Sequence, residues 1–220
     1  MPAPEKKPDY AAVVEMSKAH LKAKAKQEAF VSMRQLEGWC SQEKAAIMVD
    51  LVFETDAKTV VEIGVFGGKS LVPMAVAMKY KGSGVCFGVD PWSTAESLVG
   101  MDGVNAEWWG RLDHEVIYRG LTQKIEEFGL DDTIVLIRET SKNAPEIEEI
   151  DILHIDGNHS EETSMVDVTK WVPLVKPGGF IVFDDMTWHT QANAVAWLDA
   201  HCIKLAEYSG DNVWGIWVKP

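Results

Sequence analysis

Two acidic stretches, Asp156-Gly157-Asn158-His159-Ser160 and Asp184-Asp185-Met186-Thr187-Trp188-His189, hold the side chains best suited to chemistry in this sequence. Each follows a short apolar run. If those runs are neighbouring strands of an open α/β sheet, Asp156, Asp184 and Asp185 converge outside the carboxyl ends of the strands, where ligands of such sheets sit. Carboxylates sharing one cleft repel each other and need either a cation or strongly raised pKa values. Oxygen-only ligation favours Mg²⁺, Mn²⁺ or Ca²⁺ over zinc. Plainer readings exist: Asp156-Gly157-Asn158 is a good turn, and Ser160 can cap a following helix. Adjacent acids at the end of an apolar strand are harder to explain that way. His159, three residues beyond Asp156, carries an imidazole with an ordinary pKa of about 6.5 and suits a general base. His189 is its rival, while His20, His114, His154 and His201 read as structural.

The second feature is Val60-Val61-Glu62-Ile63-Gly64-Val65-Phe66-Gly67-Gly68-Lys69-Ser70, a strand, a glycine turn and a helix start. Glycines let backbone approach a ligand closely, and a helix N-terminus favours electron-rich groups. A phosphate-binding P-loop fails because Ile63 stands where its first glycine belongs, and the dinucleotide fingerprint fails at Phe66. A carboxylate two residues before the first glycine fits a nucleoside-methionine cofactor instead. The next apolar run ends Phe87-Gly88-Val89-Asp90. It sets a carboxylate about twenty residues beyond the loop, where it can accept hydrogen bonds from two ribose hydroxyls.

These residues need a frame. Short runs at Thr59–Ile63, Val85–Asp90, Thr133–Arg138, Ile150–Asp156 and Phe180–Asp184 alternate with helix-capable segments near 69–80, 110–128, 142–149, 160–175 and 190–202. Apolar on both faces, such strands imply a parallel sheet covered on both sides. Ile203–Tyr208 and Val213–Val218, joined by Ser209-Gly210-Asp211-Asn212, read as a closing antiparallel hairpin. A proline-rich tail over 1–8 precedes a helix from Tyr10 to about Gln35, with Val13, Val14, Leu21 and Phe30 as its apolar stripe and Lys18, Lys22, Lys24 and Lys26 as a solvated face. Ser41 caps a second helix that turns Ile47, Met48, Leu51 and Val52 inward. Residues 1–57 thus form a helical extension, a lid or a dimer contact, on a domain spanning 58–220.

Composition narrows the partners. The formal charge of −13 disfavours nucleic acid and anionic membranes. A small-molecule partner is easier to reconcile with that field. Cys40, Cys86 and Cys202 are scattered, fit neither a disulfide framework nor a zinc site, and read as small buried hydrophobes. Without an apolar targeting run, a cytoplasmic protein is expected.

On Val-Glu-Ile-Gly-Val-Phe-Gly-Gly-Lys-Ser at 61–70, Asp-Gly-Asn-His-Ser at 156–160 and Phe-Asp-Asp at 183–185, the chain resembles the metal-dependent small-molecule O-methyltransferases of class I. The likeness extends to antibiotic-sugar enzymes of the macrolide and aminocoumarin type and to cephalosporin-tailoring relatives. It implies a Rossmann-like fold: a mostly parallel seven-stranded sheet with a C-terminal antiparallel hairpin. It implies S-adenosylmethionine (SAM) held by Glu62, Gly64, Gly68 and Ser70 at its methionine part, by Asp90 at its ribose, by Ser141 at its adenine, and by Asp156. It further implies Mg²⁺, Mn²⁺ or Ca²⁺ on Asp156, Asp184 and Asp185, and His159 as base. Glu161 and Glu162 replace an aromatic of the family, and Met186 a tyrosine, so the acceptor stays open among sugars, polyols and catechol-like molecules. Trp92, Trp108, Trp109 and Trp188 are candidate walls for it. A metal-dependent hydrolase or hydroxylase on the same acids, or a non-catalytic nucleoside-binding regulator, are the competing functions.

Overall fold

In the computed structural model, which describes residues 10–210 and 212–220, the apolar runs form a single sheet. Helices α1 (Tyr10–Met33) and α2 (Gln42–Glu54) lead into β1 (Thr59–Ile63), α3 (Leu71–Lys81) and β2 (Val85–Val89). Short helices α4 (Thr94–Ser97) and α5 (Gly103–Gly110) follow, then α6 (His114–Glu127), β3 (Ile134–Ile137) and β4 (Ile150–Ile155). The chain closes with α7 (Glu161–Trp171), β5 (Val175–Phe183), α8 (Ala192–His201), β6 (Ile203–Ser209) and β7 (Val213–Val218). The sheet order is β3-β2-β1-β4-β5-β7-β6; the first five strands are parallel, and β7 and β6 add antiparallel. Chain direction across the sheet reverses between β1 and β4, which makes their carboxyl ends the switch point where a crevice opens. Register then sets the site: Ile63 pairs with Ile155 and Ile155 with Phe183, so Gly64, Asp156 and Asp184 emerge in one row.

Local chemistry explains the flanking helices. Ser160 accepts from the Thr163 N–H, and Glu161 and Glu162 lie in the first turn of α7, where the helix dipole favours them. Every residue of α3 from Leu71 to Met78 is buried, because the helix lies between the sheet and the N-terminal pair. Ala25 and Ala29 of α1 and Met48, Val49, Val52 and Phe53 of α2 belong to the same apolar core as β1 and α3, so the extension is built into the domain.

Several expectations change. The buried stripe of α1 is Ala25, Ala29, Ser32 and Met33, while Val14 and Leu21 are exposed; small alanines allow close approach to α3. Lys18, Lys22 and Lys26 pair with Asp50 and Glu54 of α2. In α2, Met48 and Val52 are buried but Ile47 and Leu51 only partly so. No helix forms over 142–149, where Pro145 disfavours helical geometry at Ala144 and Glu149 takes a φ of 59°. Strand β5 begins at Val175 rather than Phe180, since Val175 pairs with Ile150 across a bulge. The tail over 1–8, the Val13 side chain and Asp211 of the hairpin turn lie outside the described residues. Among the described residues, no helix is long and apolar enough to cross a membrane.

Candidate active site

A cavity of about 1300 Å³ opens along the carboxyl ends of β1, β2 and β4. Its floor is the glycine loop. Gly64 has a φ of 84°, and a Cβ there would run into the Asp156 backbone, so this glycine lets the end of β4 close against the loop. Phe66 also sits in the left-handed region, at φ 50°, which is unusual for an aromatic residue. Asp90 supports that strain: one carboxylate oxygen accepts from the Val65 and Phe66 N–H groups at 3.0 and 2.9 Å. Its other oxygen accepts from the Trp92 N–H, and the Trp92 indole donates to the Phe66 carbonyl at 2.8 Å. Trp92 is therefore a buried brace, not a substrate wall.

Gly64, Ser70, Asp90, Ser141 and Asp156 line the cavity. Glu62 and Gly68 do not. Gly68 packs under Leu121 of α6, and Glu62 is fully buried behind the loop, accepting from the Ser70 hydroxyl at 2.9 Å and bonding the His154 Nδ1 at 2.9 Å.

The three aspartates meet here but keep different company. Asp184 is buried, and its Oδ2 contacts both the Lys44 ammonium and the His154 Nε2. Burial works to raise the Asp184 carboxyl, yet the Lys44 charge and the His154 bond outweigh it and hold it below the ordinary carboxylate range. Burial works to lower Lys44, and Asp184 and Asp156 overcome that and raise it. His154, disfavoured as a cation by burial and by Lys44, is carried up to about 9 by Glu62 and Asp184. Glu62, His154, Lys44 and Asp184 thus form a closed ionic network.

Asp185 lies on the open side. It holds a φ of 52°, and its Oδ2 is 2.9 Å from the His159 Nε2, while His159 Nδ1 bonds the Gln191 side-chain amide at 2.9 Å. Asp156 stands between the two halves. Burial first, then the Asp184 charge, push its carboxyl well above the ordinary range, and Lys44 and His154 only partly oppose this. Ligand atoms of Asp156, His159 and Asp185 lie within 4.8 Å of one another, as do those of His154, Asp156 and Asp184. His189 is exposed. Cys40 is only partly buried and borders the cavity, unlike Cys86 and Cys202, which are buried.

An aromatic rim borders the same cavity. Trp39, on the α1–α2 connection, lies 5.4 Å from Phe66 and 5.1 Å from Trp108, ring centre to ring centre. Trp109 completes the group, 4.9 Å from Trp108. Trp39 and Trp108 are 62% and 41% exposed, so the rim is open to a ligand. Sequence reasoning missed Trp39, which carries no pattern of its own. It also missed Lys44, although a signal was present: Lys44 falls on the stripe Lys44, Ala45, Met48, Val49, Val52 that α2 buries.

The sequence pattern of the Methyltransferase domain family matches residues 61–186, more than half of the chain. The chain belongs to this methyltransferase family. The methyltransferase is 33% identical over 133 residues to an uncharacterized protein, R132, of Acanthamoeba polyphaga mimivirus, a match covering 60% of this chain and 53% of that protein. It thus spans about half the length of that relative. Among solved structures it resembles TomG, an O-methyltransferase of Streptomyces achromogenes involved in tomaymycin synthesis and solved with SAM, at 15% identity, a TM-score of 0.59 and coverage of 91% and 90%. The methyltransferase PaMTH1 of Podospora anserina, solved with SAH (S-adenosylhomocysteine), gives 13% identity, a TM-score of 0.63 and coverage of 99% and 100%. An O-methyltransferase of Bacillus cereus in complex with SAH gives 16%, 0.55, and 91% of each chain. At these identities the likeness establishes the shared class I methyltransferase fold.

Proposed function

We propose that this methyltransferase moves the sulfonium methyl of SAM to a hydroxyl of a ring-bearing small molecule, with a divalent cation on the open half of the acidic cluster. One observation carries this: a single cavity joins the glycine loop and Asp90 to Asp156, His159 and Asp185. Its volume exceeds that of a usual one-ligand pocket and suits a donor and an acceptor side by side. Gly64, Ser70, Asp90 and Ser141 offer the donor side, and the rim of Trp39, Trp108 and Trp109 offers faces for a flat or sugar ring. Glu62 acts from behind, by fixing Ser70 and His154.

The donor set suits a cation. Asp156 is a half-buried carboxylate disfavoured by its acidic neighbour, and Asp185 adds an oxygen within reach. Asp156 and Asp185 would hold the ion, with Asp184 kept in place beside them by Lys44. When bound, such an ion lowers the pKa of a coordinated hydroxyl. His159 would take the hydroxyl proton at Nε2 with the Gln191 amide turned over, so that Nδ1–H donates to its side-chain oxygen, and Asp185 would stabilise the imidazolium that forms. With SAM bound, the freed oxygen would displace the methyl group, and the electron pair of the broken carbon–sulfur bond would stay on sulfur as a neutral thioether. Catalysis is then mainly placement in a dry cleft. The charge of −13 supports a small-molecule acceptor over nucleic acid.

The test is calorimetry with SAM and SAH, followed by mass spectrometry of polyols, catechols and sugar-bearing metabolites incubated with SAM, with Mg²⁺ or with chelator. Binding of SAH and a methyl gain that chelation suppresses are expected. Failure to bind either nucleoside would sink the reading.

A further inference from the structure

The Ser141 turn is pinned from one side by α7. The Lys170 ammonium donates to the carbonyls of Ser141, Lys142 and Ala144 at 2.8, 3.0 and 2.7 Å, and the Trp171 indole donates to the Ser141 carbonyl at 3.2 Å. One turn earlier on the same helix face stands Asp167. It is 1% exposed, borders the cavity between the Ser141 turn and Gly157, and neither carboxylate oxygen makes a hydrogen bond within 3.5 Å, the Ser141 hydroxyl lying near without closing one. A Cβ added at Gly157 would lie 3.2 Å from its Oδ2, so the glycine keeps the space before that oxygen clear. A buried carboxylate without partners is costly to hold, and neutral apolar residues would pack there more favourably. Its neighbours on the buried stripe, Ser164, Val168 and Trp171, show what the fold alone asks of that face.

We propose that Asp167 reads the 6-amino group of the donor's purine, a specificity role that rests on the SAM assignment above. Ser141 and Asp167 then form two sides of the base pocket. A purine bearing an amino group points N–H donors at oxygens that no hydrogen bond within 3.5 Å satisfies. A purine with an oxo group at the same position would set lone pairs against the carboxylate. Burial pushes the Asp167 carboxyl up to about 7, against the neighbouring Ser141 hydroxyl and Lys170 ammonium. Its protonated form could also donate to the adjacent ring nitrogen while accepting from the amino group, as Asn and Gln pair with adenine through two bonds.

Calorimetry of the full chain with SAH and with its 6-oxo counterpart, S-inosylhomocysteine, tests this. The native chain should prefer SAH by about ten- to a hundredfold, the range of a buried hydrogen bond to a charged group. Asp167→Ala should weaken SAH by about tenfold or more and remove the preference. Asp167→Asn, nearly isosteric, should keep SAH binding and level the preference, because its amide N–H can donate to the 6-oxo group. Thermal unfolding without ligand serves as a second readout: Asp167→Asn should raise Tm, since the unpartnered charge is gone. Equal binding of both nucleosides by the native chain would overturn the proposal while leaving the donor assignment intact. So would a full preference retained in Asp167→Ala, or a lower Tm in Asp167→Asn, which would mark a structural role. Absence of SAH binding in the native chain would overturn both.

Discussion

The acidic cluster has two halves that look alike in sequence and differ in physics. On the buried side, Asp184 and Glu62 are matched by Lys44 and His154, all four with side chains almost free of solvent. On the open side, Asp185 and His159 are about a fifth exposed, and Asp156 joins them without a cation of its own. The buried half is closed by its own ion pairs. The open half has unmet charge and room beside it. Identical side chains one residue apart, Asp184 and Asp185, thus keep different company, because the chain leaves β5 at Phe183 with Asp184 still buried and then turns Asp185 out through a left-handed residue.

The sharpest way to break this comparison is to remove the buried cation. Lys44→Met leaves Asp184 charged and unmatched, and unfolding by urea should register a loss of about 3–5 kcal/mol. Adding Asp184→Asn should restore a good part of it. A loss below about 1 kcal/mol would mean the network is not what holds α2 to the strand ends. On the open side the opposite pattern is expected. Asp185→Asn should lower turnover on order of a hundredfold, about 2.7 kcal/mol of barrier, while stability stays within roughly 0.5 kcal/mol. Asparagine also tolerates the positive φ at that position.

The pH dependence of stability sharpens the contrast further. The folded His154 pKa of about 9 lies above its unfolded value of about 6.5, so its contribution is full below pH 6.5 and is lost as pH rises through about 9. Urea unfolding between pH 6.5 and 9.5 should show a decline of about 2–3 kcal/mol, the size of that shift treated as an upper range. A flat profile would mean that His154 is neutral when folded. The smallest effect belongs to the surface seam between α1 and α2. Lys22→Ala removes exposed pairs with Asp50 and Glu54 and should change stability by less than about 1 kcal/mol, an effect that moderate salt erases.

How far the sequence could be read follows from the range of the forces involved. Strands β1, β6 and β7 stand where their apolar and β-branched runs put them, and the Ser160 cap of α7 is a local hydrogen bond visible in four residues. The missing helix at 142–149 has a local cause in Pro145, reinforced by Lys170 gathering the carbonyls of the Ser141 turn, while the early start of β5 depends on a partner far along the chain, Ile150 pairing with Val175. Lys44 and Asp167 went unread for a shared reason. Each is a charged residue on a helix stripe that otherwise packs in the core, a signal that becomes meaningful only once that one position is known to reach the cavity.

By itself the sequence determined the order of elements, the glycine turn after β1, Asp90 beyond it, and the acids at the ends of β4 and β5, because pattern and turn chemistry act over a few residues. The tertiary structure alone decided which acids are matched and which are open. Charge balance in a low-dielectric interior depends on what another element brings within a few ångströms, and here α2, more than a hundred residues upstream of Asp184, brings Lys44.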